Sequence, residues 1–228
     1  MSLIDAICKE LALGHRDHNH MRIAGGFAPL HTKANFDDPD LRWLRRAMIM
    51  MMRSLDPYPA SVVDENANLL MLNRGFVSLF SNVVPPEKLA RLSNNYDFMF
   101  EKPQTENIVD NLDLTLAAVL MAGLQDALFR NDQPEIDRIE ELAQKNQLPP
   151  DWKKQASKLS PMSSFRVQVE FQGRTEAFFN ISSTACALGP AAFASDPRLT
   201  INVLYPENDT IDLSSLQLEK AKHPLLFY

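Results

Sequence analysis

The segment Pro57-Tyr58-Pro59-Ala60-Ser61-Val62-Val63-Asp64-Glu65-Asn66-Ala67-Asn68-Leu69-Leu70-Met71-Leu72-Asn73 constrains this chain more than any other. Val62 and Val63 are β-branched and favour a pleated, half-buried surface. Asp64 to Asn68 is a polar run of residues that tolerate turn dihedrals, and Leu69 to Leu72 resumes an apolar run of strand length. Asn73 then stands where a helix over Arg74 to Phe80 takes its N-cap. Strand, tight turn, strand and capped helix commit this part of the chain to an antiparallel hairpin with a helix leading away from it.

The remainder sorts by period. Leu3, Ile7 and Leu11 recur at steps of four, which predicts a short helix over 3–13 stopped by Gly14. A second helix is expected over 17–25. Asp37, Asp38 and Asp40 around Pro39 open a helix whose apolar stripe is Leu41, Leu44, Met48, Met51 and Leu55. Met48 to Met52 reads as the seam between that helix and a partner helix. Short helices are expected over 74–81 and 86–92, and 94–103 reads as loop. Residues 108–130 make the longest predicted helix, apolar on more than one side and therefore buried. Gln133-Pro134-Glu135 starts another, and Leu148-Pro149-Pro150 stops it. In the last third the period falls to two: Phe165, Val167, Val169 and Phe171 alternate with polar residues. Gln172-Gly173 turns the chain, 175–181 returns, and Leu199, Ile201, Val203 and Tyr205 alternate in a final strand. Five strands, with helices clustered between the second and third, predict an α+β fold around an antiparallel sheet.

The totals exclude several classes. A net charge of −6 argues against nucleic-acid binding by this chain alone. Cys8 and Cys186 are far apart and in no metal spacing. No apolar run reaches membrane-spanning length and the N-terminus lacks a signal-peptide pattern, so the chain reads as cytoplasmic. No glycine-rich phosphate loop is present. Glu65, Glu87 and Glu101 fall in turns or helix starts, and no nucleophile motif appears, so the chain does not read as an enzyme. Cys186 reads as a small buried hydrophobe. His15, His18 and His20 with Asp17 have the ligand types of a zinc site, but no partner cluster follows elsewhere, which favours a solvated connector.

Several separated segments carry a resemblance. They are Ile23-Ala24-Gly25-Gly26-Phe27-Ala28-Pro29-Leu30, Asp37-Asp38-Pro39-Asp40-Leu41, and Pro57-Tyr58-Pro59-Ala60 with Val63-Asp64 and Asn73. Leu148-Pro149-Pro150-Asp151-Trp152, Phe178-Phe179-Asn180-Ile181-Ser182-Ser183-Thr184 and Leu204-Tyr205-Pro206-Glu207-Asn208-Asp209-Thr210 complete the set. Their order and spacing resemble the ligand-binding domain of MmyB-like transcription regulators, which follows a helix-turn-helix of the XRE type. The resemblance implies a PAS-like five-stranded antiparallel sheet with flanking helices, preceded by a short helical N-terminal segment. It implies a helix-turn-helix remnant and connector over 1–36, a linking helix over 37–56, the PAS-like domain over 57–216 and a tail over 217–228. The DNA-reading helices are missing, which implies a shortened regulator. Ala185-Cys186-Ala187-Leu188-Gly189-Pro190 also departs from the family's usual turn.

What the resemblance implies about function is a sensor for a small apolar molecule such as a fatty acid. It would need no cofactor, no membrane and no DNA contact except through the missing helix-turn-helix, and would act as a homodimer. The aromatics Phe76, Phe80, Phe98, Phe100, Phe179 and Phe193, with Leu116 and Leu120, fall on the elements that would surround such a ligand. For any single one of the aromatics, plain core packing is the commoner role. Asn73 is a ligand candidate or a helix cap, and capping is the commoner role of Asn there. Arg74 and Arg91 are candidate carboxylate partners or surface ion-pair residues. A ligand-free interaction module is the main alternative, and a small hydrolase or isomerase with a polar pocket is the weaker one.

Overall fold

A computed structural model describes residues 2–27, 30, 36–37, 39–100, 112–158, 166–185, 198–217 and 221–228, with backbone alone at 15, 16, 40, 112 and 113. Two helices open the chain, α1 (Leu3–Glu10) and α2 (His15–Ala24). Ser2 and Asp5 form a reciprocal capping box at the start of α1, each side chain bonding the other's backbone N–H. Gly14, expected to stop α1, is instead the N-cap of α2, which starts two residues earlier than its pattern predicts. A short 3-10 turn, Pro39–Leu41, leads into α3 (Arg42–Leu55).

The hairpin follows as expected: β1 (Ala60–Val63), β2 (Leu69–Leu72), then α4 (Arg74–Phe80). The register shifts between Val62 and Val63, which pair with Met71 and Leu69 respectively. This bulge lets Leu69 and Leu72 face the same side of the sheet. Next come α5 (Pro86–Ala90) and α6 (Asn95–Met99). Residues 94–103 have no helical period, yet the Asn94 side chain accepts from the Tyr96 N–H and nucleates one turn. The long helix α7 (Leu112–Arg130) is followed by α8 (Gln133–Lys145) and by α9 (Trp152–Ala156), a short helix that its proline-rich approach conceals. The C-terminal strands are β3 (Arg166–Phe171), β4 (Arg174–Ala185) and β5 (Leu199–Pro206).

The sheet is antiparallel in the order β2-β1-β5-β4-β3, which is the PAS-like arrangement. It separates two apolar clusters. On the inner face, Val63, Leu72, Val167, Val169, Phe171, Phe178 and Leu204 meet α4 to α9. On the outer face, Met48 and Met52 of α3 pack on Ala60, Val62, Met71, Leu199, Ile201 and Val203. The methionine-rich helix therefore seats on the sheet, not on a partner helix. Its buried face runs through Met48 and Met52, and Met51 is 43% exposed. Each side of the sheet holds one tryptophan: Trp152 is buried in the inner layer, whereas Trp43 of α3 is exposed between Arg42 and Arg46.

The C-terminal residues close the molecule. The Leu72 N–H donates to the Leu225 carbonyl on the edge strand, and the Tyr228 hydroxyl bonds Met52 O and Asp56 Oδ2 at the end of α3. Burial and Asp56 push that phenol above the usual tyrosine range.

Candidate ligand-binding face

The inner face begins at Asn73. Its Oδ1 accepts from the Ala60 N–H at 2.8 Å and the Phe76 N–H at 2.9 Å, and its Nδ2 donates to the Tyr58 carbonyl at 2.7 Å. One fully buried amide thus ties the entry to β1, β1 itself and the start of α4. Its bonds lie within the fold, and its place is that of a brace. Gly75 is next, and a Cβ there would stand 2.4 Å from the Pro57 carbonyl oxygen. Only glycine lets α4 lie this close to the hairpin.

From α4 the rings of Phe76 and Phe80 project into the helical layer with centroids 4.6 Å apart. Phe98 of α6 meets Phe80 edge-on at 4.9 Å, and Phe100 meets Tyr96 edge-on at 6.3 Å. Leu116 and Leu120 of α7 are fully buried in the same cluster. These six expected residues are brought together. Phe193 lies outside the described residues.

Three others go elsewhere. Phe179 is on the outer face, 37% exposed, in a ladder with Tyr205 and Tyr58, and Phe178 takes the inward position at 0% exposure. One step along a strand exchanges faces. The Arg74 guanidinium lies 5.3 Å from the ring of Tyr228, beside the outer cluster, and its buried Nε has no hydrogen-bond partner among the described residues. Arg91 is exposed at the C-cap of α5.

The sequence reading missed a polar half to the inner face. Ser61, Asn180 and Asn202 share that face with Val63, Phe178 and Leu204, because strand residues two apart point the same way. Asn180 Nδ2 donates to Ser182 Oγ at 3.1 Å, and the Ser182 hydroxyl donates to Asn202 Oδ1 at 2.6 Å. Ser182 and Thr184 are exposed there, and Thr200 and Asn202 are half-buried. The available signal was the polar phase of β4 and β5. It reads as solvent-facing only if the opposite phase is taken for the single buried side, and here α3 covers that opposite phase.

A charged network stands at the β1–β2 end of the helical layer. Arg130 of α7 is 8% exposed, and it donates to Asp126 Oδ2 at 2.9 Å, Asp132 Oδ2 at 3.0 Å and Asn66 Oδ1 at 2.8 Å. Arg198, just before β5, donates to the other oxygen of Asp126 at 2.5 Å. Beside this network burial raises the Glu135 carboxyl above its ordinary value despite Arg138, and pushes the Tyr96 phenol up to about 12. A Cβ on Gly123 would meet that phenol oxygen at 2.4 Å, so glycine sets the spacing of α6 and α7.

Among the described residues no three or more His, Cys, Asp or Glu side chains gather as a metal site requires. His18 pairs with Asp5 at 3.1 Å, and Arg22 pairs with the same carboxylate, which holds it well below the usual range. Among the described residues no helix is long and apolar enough to cross a membrane.

A sheet in this order, with helices over one face and α3 on the other, defines a PAS-like α+β domain. The chain matches the family of MmyB-like transcription regulator ligand binding domains over residues 44–204, from within α3 to β5, and it belongs to that family. No curated protein matches the chain. The family supplies the ligand-binding part of transcription regulators and is not typically enzymatic, so the role of this chain is regulatory ligand binding.

Proposed function

We propose that this chain senses a small, largely apolar molecule of the fatty-acid kind and controls DNA-binding helices attached through α3, acting in a bacterial transcription regulator as a homodimer. The ligand lies between the inner face of the sheet and the helices over it. The observation that carries this reading is the shared sheet. The strands β1, β2 and β5 present an inner face to the helical layer and hold α3 by their outer face through Met48 and Met52. A ligand that shifts those strands shifts the linking helix. To act as a switch it must favour one arrangement, and two to three kcal/mol of differential binding gives roughly a hundredfold bias.

The test is to denature the purified protein, extract it with organic solvent and identify any stoichiometric small molecule by mass spectrometry against a mock purification. A fatty-acid panel read by thermal shift accompanies it. An apolar acid or lipid in the extract, or a shift of several degrees, supports the sensor. An empty extract together with no thermal shift turns the assignment to a second reading, a solid dimerising module. One observation favours that alternative: Phe76, Phe80 and Phe98 already fill their part of the inner layer, with centroids 4.6 to 6.4 Å apart.

A further inference from the structure

We infer that the polar end of the inner face is a head-group site for an amphiphile that carries a carboxylate followed by amide or hydroxyl groups. An N-acyl amino acid fits this description better than a plain fatty acid, with Arg198 as the anion partner. The inference rests on the reading that a ligand lies on this face, and it adds the chemistry of the ligand's polar end.

Three observations carry it. First, the closed and open ends of the face differ in chemistry. Phe178 and Leu204 are buried under the helices, while Ser182 and Thr184 remain exposed although they share their face. Second, the open end offers hydrogen-bonding capacity. The relay uses Asn180 as donor and Asn202 as acceptor, which among the described residues leaves Asn202 Nδ2 to donate and Asn180 Oδ1 to accept from a guest. From Arg198 to Asn202 is about 13 Å of extended chain. A plain acyl chain leaving a carboxylate at Arg198 would lay methylenes over these groups and dehydrate them without replacing their hydrogen bonds. Once free of Asp126, the Arg198 side chain can extend along the strand toward Asn202, where an amide or hydroxyl next to the guest carboxylate meets the relay and the apolar tail runs on to Phe178 and Leu204.

Third, Arg198 can be released at small cost. Its guanidinium is held by Asp126, whose second oxygen is held by the buried Arg130. When a guest carboxylate takes Arg198, Asp126 stays paired with Arg130 and no charge is stranded, the outcome that makes breaking other buried pairs expensive. The exchange also removes the ion pair between α7 and the residue before β5, a strand whose outer side chains share a cluster with Met48 and Met52 of α3, which gives the ligand a mechanical effect.

The probes are N-dodecanoylglycine, its uncharged amide N-dodecanoylglycinamide, and tetradecanoic acid, titrated by calorimetry into the full chain. The acylglycine should bind at least tenfold tighter than either comparator. Arg198→Gln should erase its advantage over the amide while leaving the amide's affinity within about twofold, so a folding defect cannot mimic the result. Asp126→Asn should strengthen acylglycine binding. Equal or tighter binding of tetradecanoic acid to the native chain, or an unchanged acid-to-amide ratio in Arg198→Gln, overturns the head-group site and leaves the apolar sensor intact. No binding of any probe to the native chain overturns both.

Discussion

The two faces of the sheet use different side chains for different ends. The outer face is joined to α3 by Met48, Met52 and aliphatic partners, and continues into the tilted ladder of Tyr58, Tyr205 and Phe179. Thioethers are unbranched and repack at small cost, so this contact tolerates a slide of the helix over the strands. The inner face has fixed geometry at one end, where rings meet edge-on, and hydrogen-bonded polar side chains at the other. A joint that can slide and a seat that cannot are what a sensor needs on opposite sides of one sheet.

That contrast can be broken most directly at adjacent residues of β4. Phe178→Ala should cost about 3–5 kcal/mol in urea unfolding, because a fully buried ring leaves a cavity. Phe179→Ala, from the half-open outer ladder, should cost about 1 kcal/mol. Equal costs would mean the faces are misassigned. Asn73→Ala should cost about 3 kcal/mol, since three backbone groups lose their partner. Asn73→Asp keeps both accepted bonds and loses only the donor to Tyr58, so its midpoint should fall between alanine and native. Met52→Leu tests the sliding joint: it should change stability by less than about 1.5 kcal/mol by the same measurement, and a larger loss would show a rigid contact.

The smallest effect concerns Glu135. Its folded carboxyl titrates above the ordinary value of 4.5, so the folded state holds the proton more tightly than the unfolded chain. The resulting stability is present below pH 4.5 and is lost as pH rises through the folded value. Urea midpoints from about pH 4 to pH 7 should therefore fall for the native chain relative to Glu135→Gln, which cannot titrate. A constant difference between the two would remove burial of that charge as a cost.

Local chemistry was legible in the sequence wherever one segment decides its own structure. The hairpin, the Asn73 cap, the long buried helix and the alternating strands stand where their residues place them. What period alone could not supply was the layer to which each phase belongs. The alternation of Leu199, Ile201 and Val203 marks a strand, and the structure turns that phase toward α3. Their polar counterparts Thr200 and Asn202 face the helical layer. The same ambiguity favoured Phe179 over Phe178, and it hid Ser182 and Arg198 from any list of candidates. Short helices such as α6 escaped because a single turn set by one cap has no periodicity to detect.

The placement of the two tryptophans has a practical consequence. Trp152 sits dry among the inner helices and Trp43 stands in solvent on α3, so their emission should differ in colour, blue-shifted for the first and red-shifted for the second. Iodide gathered by Arg42 and Arg46 should quench the outer indole and spare the inner one. The chain therefore carries a label-free optical reporter on each side of its sheet, one in the inner layer and one on α3.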